Sequence, residues 1–235
     1  NAWAFYDWAN SVYALVISST IFPLYYGALF RQKNIEEIVL LGFSVRSEAL
    51  ISYVTAIGFL IIAFISPLLS GIADYMGNKK FFLKLFCYIG SISCMSLYFF
   101  SLDTVVLSLV SYLLALIGFW GSLVFYNSYL PDIAHKEQQD KISAKGFSLG
   151  YVGSVVLLLI CLYMVMSVDT DKERLQMMRY SFLLVGIWWL GFSQYTYYYL
   201  PNNKNENKLH KNVLFNGFKE LRKVWQQIKE LKSLR

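Results

Sequence analysis

The sequence predicts an all-α membrane protein with about six membrane-spanning helices. Of its 235 residues, 57% are hydrophobic and only 15% are charged, whereas soluble domains have about 25% charged residues. The charges cluster in a few connectors, and the runs between them are long and apolar. Because a bilayer core about 30 Å thick requires roughly 20 apolar residues per helix, these runs are long enough to cross it.

Six such runs follow one another along the chain. They are approximately Trp8–Phe30, Leu50–Ala73, Phe81–Leu102, Thr104–Tyr129, Phe147–Val168 and Tyr180–Leu200. Transmembrane β-strands are not favoured, because such strands alternate apolar and polar residues over about ten positions, and these runs are apolar on every side. Residues 1–201 are therefore predicted to form one six-helix bundle, and a soluble helical domain is the disfavoured alternative.

The distribution of Lys and Arg predicts the orientation of the bundle. Fifteen of the 21 lie in the connectors Asp74–Lys84 and Leu130–Lys145 or in the tail Pro201–Arg235, and six lie in the other connectors. The richer set faces the cytoplasm by the positive-inside rule, which places both ends of this chain in the cytoplasm of a cell-membrane protein. The net charge of +6 then reflects contact with anionic membrane lipid. A nucleic-acid partner is not expected, since the chain has no matching recognition motif.

The first run contains a stripe of polar residues at helical spacing. Its members are Asp7, Asn10, Ser11, Ala14, Ser18 and Tyr25. Such a stripe does not face lipid, because polar groups in a membrane are costly and mark functional paths. It is predicted to face the bundle or a watery cavity. In the alternative interpretation, Asp7 lies near a helix start and only interacts with the positive end of the helix dipole.

The connector Ser70–Lys80 is predicted to form a tight turn. Gly77 can adopt a positive φ, Asp74 can pair with a cation, and Lys79 begins the next run. An ordinary turn with flanking charges explains the same residues, so spacing alone does not decide between a gate and a turn.

Two features frame the fifth run. Pro131 has no N–H donor and disfavours helix in the residue before it, so the fourth helix is predicted to end there. Gly146, Gly150 and Gly153 share one helix face, and small residues let helix backbones approach closely in lipid. Static packing and a sliding surface predict the same three glycines.

The tail is predicted to be a separate element. Residues 202–235 read as a basic cytoplasmic linker, and Asn212–Arg235 has the apolar and basic faces of an amphipathic helix. A helix of this composition is suited to lie on the inner leaflet.

Several motifs of catalysis are missing from the sequence. The chain has no phosphate-binding loop, no zinc-protease motif and no serine elbow, and it has only two His residues. No set of nucleophile and base can be assembled. We therefore expect neither an enzyme nor a cofactor or metal.

The connector Ser70–Lys80 resembles the signature between the second and third spans of major facilitator superfamily transporters, Gly-x-Leu-Ala-Asp-Arg-x-Gly-Arg-Lys. The matching residues are Ala73, Asp74, Gly77 and Lys79, and the departures are Ser70, Tyr75 and Asn78. Since Tyr75 replaces the signature Arg, a charge latch at Asp74 needs another cation.

A second resemblance covers residues 2–201. The segment Trp3–Tyr13, with its Asp-Trp-Ala-Asn-Ser motif, is similar to the opening of the autophagy-related vacuolar effluxer family, a branch of that superfamily. Tyr126–Ala134 resembles the exit of the family's fourth span, and Gly146–Gly153 and Arg179–Leu183 resemble its fifth and sixth spans.

This resemblance implies twelve spans in two six-helix halves around a central cavity. The chain is then expected to contain the N-terminal half and the central linker, with the C-terminal six-helix half as its partner. The implied function is a secondary transporter of small organic solutes, with amino-acid efflux as the specific hypothesis, working by alternating access. A lipid-handling transporter and a non-transporting membrane scaffold remain the alternatives.

Within this transporter hypothesis, particular residues have candidate roles. Asp7 is the candidate for proton coupling, and Asn10, Ser11 and Tyr13 are candidates for the cavity wall or a gate. In the second connector, the candidates for a cytoplasmic gate are Asp74, Gly77 and Lys79.

Overall fold

The computed structural model describes residues 1–40, 42–76 and 78–201, and these residues are almost entirely helical. The helices are α1 (Ala2–Val12), α2 (Phe22–Gln32), α3 (Ser47–Met76), α4 (Lys79–Ser96), α5 (Val105–Ser128), α6 (Leu130–Ile133), α7 (Lys136–Met166) and α8 (Asp171–Tyr199). A π-helical segment, Tyr13–Ile21, joins α1 to α2 without a break, and a 3-10 turn, Leu97–Phe99, follows α4. The predicted tail, residues 202–235, lies outside the described residues.

Six long helical paths form the bundle, which confirms the all-α polytopic prediction. Five are long and apolar enough to cross a membrane: Ala2–Gln32, Ser47–Gly71, Lys79–Phe99, Val105–Ile133 and Lys136–Met166. The sixth, α8, is as long as the others but contains many Tyr and Trp residues and a charged first part, which lowers its mean hydropathy.

The structure confirms one predicted helix end and corrects three predicted starts. The fourth predicted helix, α5, ends at Ser128, just before Pro131, which lies in the first turn of the short helix α6, where proline's missing N–H costs nothing. The first helix begins at Ala2 rather than near Trp8, and the sixth predicted helix, α8, begins at Asp171 rather than near Tyr180. The fifth helix begins at Lys136 rather than near Phe147. Its first turns carry charges and extend beyond the apolar run from which the prediction was made.

The connector between the first two spans contains a β-hairpin that the apolar pattern did not predict. Strands β1 (Glu37–Leu40) and β2 (Phe43–Arg46) pair antiparallel, with Glu37 opposite Arg46. Gly42 lies between them at a φ of 86°, a conformation that hairpin turns require and glycine adopts without strain.

Close helix packing in the bundle depends on glycine. The tightest crossing joins α4 and α5, where a Cβ atom on Gly118 would lie 2.4 Å from the Cα of Gly90. The first helix packs against α7 in the same way, which positions the candidate site.

Candidate functional site

Asp7 lies inside the bundle, with 6% of its surface exposed. The helix begins at Ala2 and has no acidic residue in its first turn, so Asp7 does not act as a helix cap. Instead, the hydroxyl of Tyr126 on α5 donates a hydrogen bond to Asp7 Oδ2 at 3.0 Å. The carboxyl group is therefore held by a side chain 119 residues away.

Trp3 fixes Tyr126 in place. The two rings stack with centroids 4.2 Å apart and an interplanar angle of 8°. The indole Nε1–H of Trp3 also donates to the Tyr126 carbonyl oxygen at 2.9 Å. Because ring and main chain are both held, the phenol of Tyr126 is oriented toward Asp7.

Gly146 makes room for this pair. A Cβ atom on Gly146 would lie 2.6 Å from Asp7 Oδ2 and 3.0 Å from the Tyr126 hydroxyl. Any larger residue at this position would have to displace the carboxyl group.

The same contact continues along α7. A Cβ on Gly150 would lie 2.4 Å from Ser11 Oγ, and one on Gly153 would lie 2.9 Å from the carbonyl oxygen of Trp8. All three predicted glycines therefore contact the first helix, and we call this contact the glycine face. Static packing and sliding of the two helices would both use these three glycines, so the contact does not decide between the two alternatives.

Asn10 and Tyr13 lie on another side of the first helix. Each is about 1% exposed, and neither Asn10 Nδ2 nor the Tyr13 hydroxyl has a hydrogen-bond partner among the described residues. Tyr13 lies between the rings of Phe119, at 4.9 Å, and Trp189, at 6.1 Å. Within the six-helix bundle these two residues are core residues rather than part of an open wall.

The predicted polar stripe does not continue past the first turns. Ser18 faces a groove between the first helix, α3 and α5, whereas the hydroxyl of Tyr25 donates to the Phe100 carbonyl at 3.0 Å. The prediction of one continuous stripe is wrong because the π-helical segment has wider turns than an α-helix and rotates the later residues onto other faces.

This groove has a volume of about 610 Å³ and a partly polar lining. Among its lining residues, Thr55 Oγ1 and the Tyr112 hydroxyl form a hydrogen bond at 3.2 Å. Ser18 and Ser52 add two further hydroxyls. These hydroxyls give the groove polar groups that could contact a small solute.

At one end of the bundle, Lys79 ties α4 to the end of α5 and to α6. Its Nζ donates to Asp132 Oδ2 at 2.8 Å and to the Ser128 carbonyl at 2.8 Å. The other two predicted gate positions, Gly77 and the side chain of Asp74, lie outside the described part of the chain. The partner Asp132 was part of a motif in the sequence but had no predicted role.

At the opposite end, Arg179 joins three elements, a role that the sequence did not predict for it. Its Nε donates to the Tyr25 hydroxyl at 2.8 Å, and its Nη2 donates to the Phe100 carbonyl at 3.2 Å. The only signal in the sequence was a cation placed directly before an apolar run. Over residues 1–40, 42–76 and 78–201, no group of three or more His, Cys, Asp or Glu side chains could hold a metal ion.

Comparisons with known proteins agree on one family. A family model described as "Vacuole effluxer Atg22 like" matches residues 1–235. The chain is 30% identical over 242 residues to the uncharacterized MFS-type transporter YxiO of Bacillus subtilis, covering 100% of this chain and 54% of that protein.

More distant relatives are fungal. The chain is 23% identical to autophagy-related protein 22-2 of Aspergillus niger, covering 74% of this chain and 40% of that protein. It is 28% identical to autophagy-related protein 22 of Saccharomyces cerevisiae, covering 58% of this chain and 29% of that protein. The chain thus spans about half the length of YxiO and less of the fungal proteins. No solved structure matches the chain.

Proposed function

Because the chain belongs to the Atg22-like vacuole effluxer family, we propose that it is half of a secondary transporter that moves small organic solutes, with amino-acid efflux as the specific activity. The second half is a further six-helix bundle. The two halves rock about a site near the middle of the membrane, as in other alternating-access carriers.

The observation that supports this proposal best is the buried Asp7–Tyr126 pair. Ionisable residues inside membrane bundles are expensive and mark ion paths or proton relays. Asp7 is held by a neutral phenol, and no salt bridge to it occurs among the described residues. A carboxyl group without a cationic partner can take up and release a proton without breaking an ion pair.

The surrounding residues have supporting roles in this proposal. Protonation of Asp7 changes the charge at the glycine face, where Ser11 and the first helix meet α7. Asn10 and Tyr13 connect that face to the interior of the bundle. The solute binds in the groove lined by Ser18 and Thr55, and the second half completes the site.

We further propose that the Lys79 end faces the cytoplasm, as the positive-inside rule favours. The Lys79–Asp132 ion pair then belongs to the cytoplasmic gate, together with Asp74 and Gly77. Both ends of this chain lie on the cytoplasmic side in this arrangement.

The test is counterflow in proteoliposomes that contain the full-length protein, with labelled neutral, acidic and basic amino acids. We expect exchange of one class above empty liposomes, and we expect Asp7→Asn to remove the pH dependence of that exchange. Asp103→Asn, at an exposed turn, is the matched control and should retain it. Normal pH-dependent exchange by Asp7→Asn would refute the coupling role, and no exchange by folded protein would refute amino acids as the substrate.

A further inference from the structure

The described part of the bundle contains buried donors that make no hydrogen bond of normal geometry to a protein acceptor. They are the hydroxyls of Tyr6, Tyr13 and Tyr197, the indole Nε1–H groups of Trp8 and Trp189, and the amide of Asn10. All six belong to the first helical path or to α8. Orphaned buried donors are rare in proteins, and a lipid bilayer supplies no bulk water to satisfy them.

Four of these donors form a continuous row. Tyr6, Asn10 and Tyr13 recur at intervals of four and three residues and therefore share one helix face. Trp189 packs beside both ends of this face: its ring centroid is 6.1 Å from that of Tyr13, and the Tyr6 hydroxyl has Trp189 as a neighbour. We call these four residues the donor row. It extends about 10 Å along the helix axis, at about 1.5 Å per residue.

One end of the donor row adjoins the Asp7–Tyr126 pair. The ring centroids of Tyr6 and Tyr126 lie 5.2 Å apart, and Tyr126 donates directly to Asp7 Oδ2. The Tyr6 hydroxyl is also close to Ser122 on α5, whose own hydroxyl donates to a main-chain carbonyl in its helix.

The other end of the donor row adjoins the groove. Tyr13 interacts electrostatically with Tyr112 on α5. The Tyr112 hydroxyl lies 3.2 Å from Thr55 Oγ1, and both residues line the groove. The row therefore leads from the buried carboxyl group to the surface where the solute is proposed to bind.

The titratable groups that face the row come from three helices. They are Cys87 and Cys94 of α4, Tyr112 and Tyr126 of α5, and Tyr197 of α8. These are thiols and phenols, so the charge that changes near the row is that of Asp7.

We propose that the donor row holds a chain of internal water molecules that carries protons between Asp7 and the groove. Each water accepts a hydrogen bond from one donor of the row and donates to the next water or to the carboxylate, which satisfies the orphaned groups. One proton leaves the Asp7 carboxyl group for the first water, each water passes one on, and one proton leaves at the groove. The reverse sequence restores the carboxyl group. This path rests on the proposed coupling role of Asp7, and it assigns the groove as the side with which Asp7 exchanges its proton.

Radiolytic hydroxyl labelling of the full-length protein in liposomes, read by mass spectrometry, tests for these waters directly. Radicals formed from bound internal water oxidise the side chains beside it. Tyr6 and Tyr13 should therefore be labelled several-fold faster than Tyr25 and Tyr129. These control tyrosines are equally buried, but their hydroxyls donate to main-chain carbonyls. Equal, slow labelling of all four would show a dry row and overturn the proposal.

Two variants identify the row as the source of the labelling. Asn10→Leu removes the Nδ2 donor of the row and introduces an apolar side chain of similar size, and it should lower the labelling of Tyr6 and Tyr13 but not that of Tyr25. If Asn10→Leu does not fold, Trp189→Phe removes one donor from the same row and should lower the labelling of Tyr13. Unchanged labelling in the folded variant would overturn the proposal.

The labelling does not depend on transport, so it is separable from the proposed function. A labelled row combined with normal pH-dependent exchange by Asp7→Asn would remove the coupling role and, with it, proton transfer along the row. An unlabelled row combined with loss of pH dependence in Asp7→Asn would overturn the water chain and leave the coupling role intact.

Discussion

The glycine face and the donor row both involve buried residues of the first helix, but their polar groups differ in whether they have hydrogen-bond partners in the protein. On the glycine face, Asp7 has a protein donor at 3.0 Å, and Ser11 is in close contact with Gly150. On the donor row, Asn10 and Tyr13 are at least as buried, but Asn10 Nδ2 and the Tyr13 hydroxyl have no hydrogen-bond partner in the described part of the chain. Burial alone therefore does not show what a polar residue does in a membrane bundle, and its hydrogen-bond partners must be counted.

The difference follows from what each face packs against. Glycines on α7 let the main chain of the first helix approach closely, which brings the polar groups of this face into direct contact with protein atoms. The donor row packs against large rings such as Phe119 and Trp189, which supply few hydrogen-bond acceptors. The first face is suited to fix a carboxyl group, and the second leaves its donors free for the proposed water chain.

The largest effect is expected from Gly153→Val, which tests how tightly the glycine face is packed. A Cβ at this position would lie 2.9 Å from both the ring and the carbonyl oxygen of Trp8, and valine adds two further methyl groups. We expect a loss of about 3 kcal/mol or more in the free energy of unfolding, measured by thermal unfolding of the full-length protein in detergent. Gly191→Val is the control, since nothing lies within 4 Å of its Cβ position. Equal unfolding temperatures for the two variants would mean that the close contact with α7 does not form.

The next largest effect is expected from removing the Tyr126 hydroxyl, which contacts Asp7 on the glycine face. Removal of the Tyr13 hydroxyl, on the donor row, should have a smaller effect. Tyr126→Phe leaves Asp7 without its donor, and an unsatisfied buried acceptor costs about 1–3 kcal/mol. Tyr13→Phe removes no hydrogen bond to another residue in the described part of the chain, and we expect it to cost less than about 1 kcal/mol, the net value of one hydrogen bond to water. Both values come from unfolding of the same preparation. A larger loss for Tyr13→Phe would show that Tyr13 has a protein acceptor after all.

The sequence predicted the helices well because their signal is local. Six apolar runs separated by charges are enough to predict six helices, and the structure contains six long helical paths. The starts of the first, fifth and sixth helices were placed too late, since Trp3–Asp7, Lys136–Lys145 and Asp171–Arg179 are helical without being strongly apolar. The hairpin of β1 and β2 was missed, because strands of four residues leave a weak pattern between two long helices.

The candidate site was predicted less completely because its contacts are distant in the sequence. Asp7 and the three glycines were identified, but the partner Tyr126 lies 119 residues from Asp7, and no pattern in one sequence pairs them. The π-helical segment was missed, although Pro23 lies just after a Ser-Ser-Thr run. Residues 18–20 and Pro23 together could have indicated an irregular helix here, because proline removes a main-chain donor and the hydroxyls can bind the freed carbonyls.

A smaller loss of stability is expected when either of two Trp residues on the first helix is replaced by Phe. Trp3→Phe retains a ring against Tyr126 but removes the hydrogen bond from Nε1 to the Tyr126 carbonyl. Trp8→Phe makes the same change where the indole N–H has no acceptor among the described residues and the ring stacks on Trp188. The loss for Trp3→Phe should exceed that for Trp8→Phe by about 0.5–1.5 kcal/mol, again in unfolding measurements. The opposite order would contradict the role of Trp3 in holding Tyr126.

The smallest loss of stability is expected from replacing Ser19 in the π-helical segment Tyr13–Ile21. Ser19 Oγ donates to the Ala14 carbonyl, five residues earlier, at 2.8 Å. Ser148 makes the matching bond in a regular helix, to the Ala144 carbonyl four residues earlier, also at 2.8 Å. Because the wider π turn has fewer favourable contacts of its own, Ser19→Ala should cost about 0.5 kcal/mol, whereas Ser148→Ala should be neutral. If the two alanine variants unfold alike, Pro23 and the surrounding packing maintain the π segment, and the hydroxyls only accompany it.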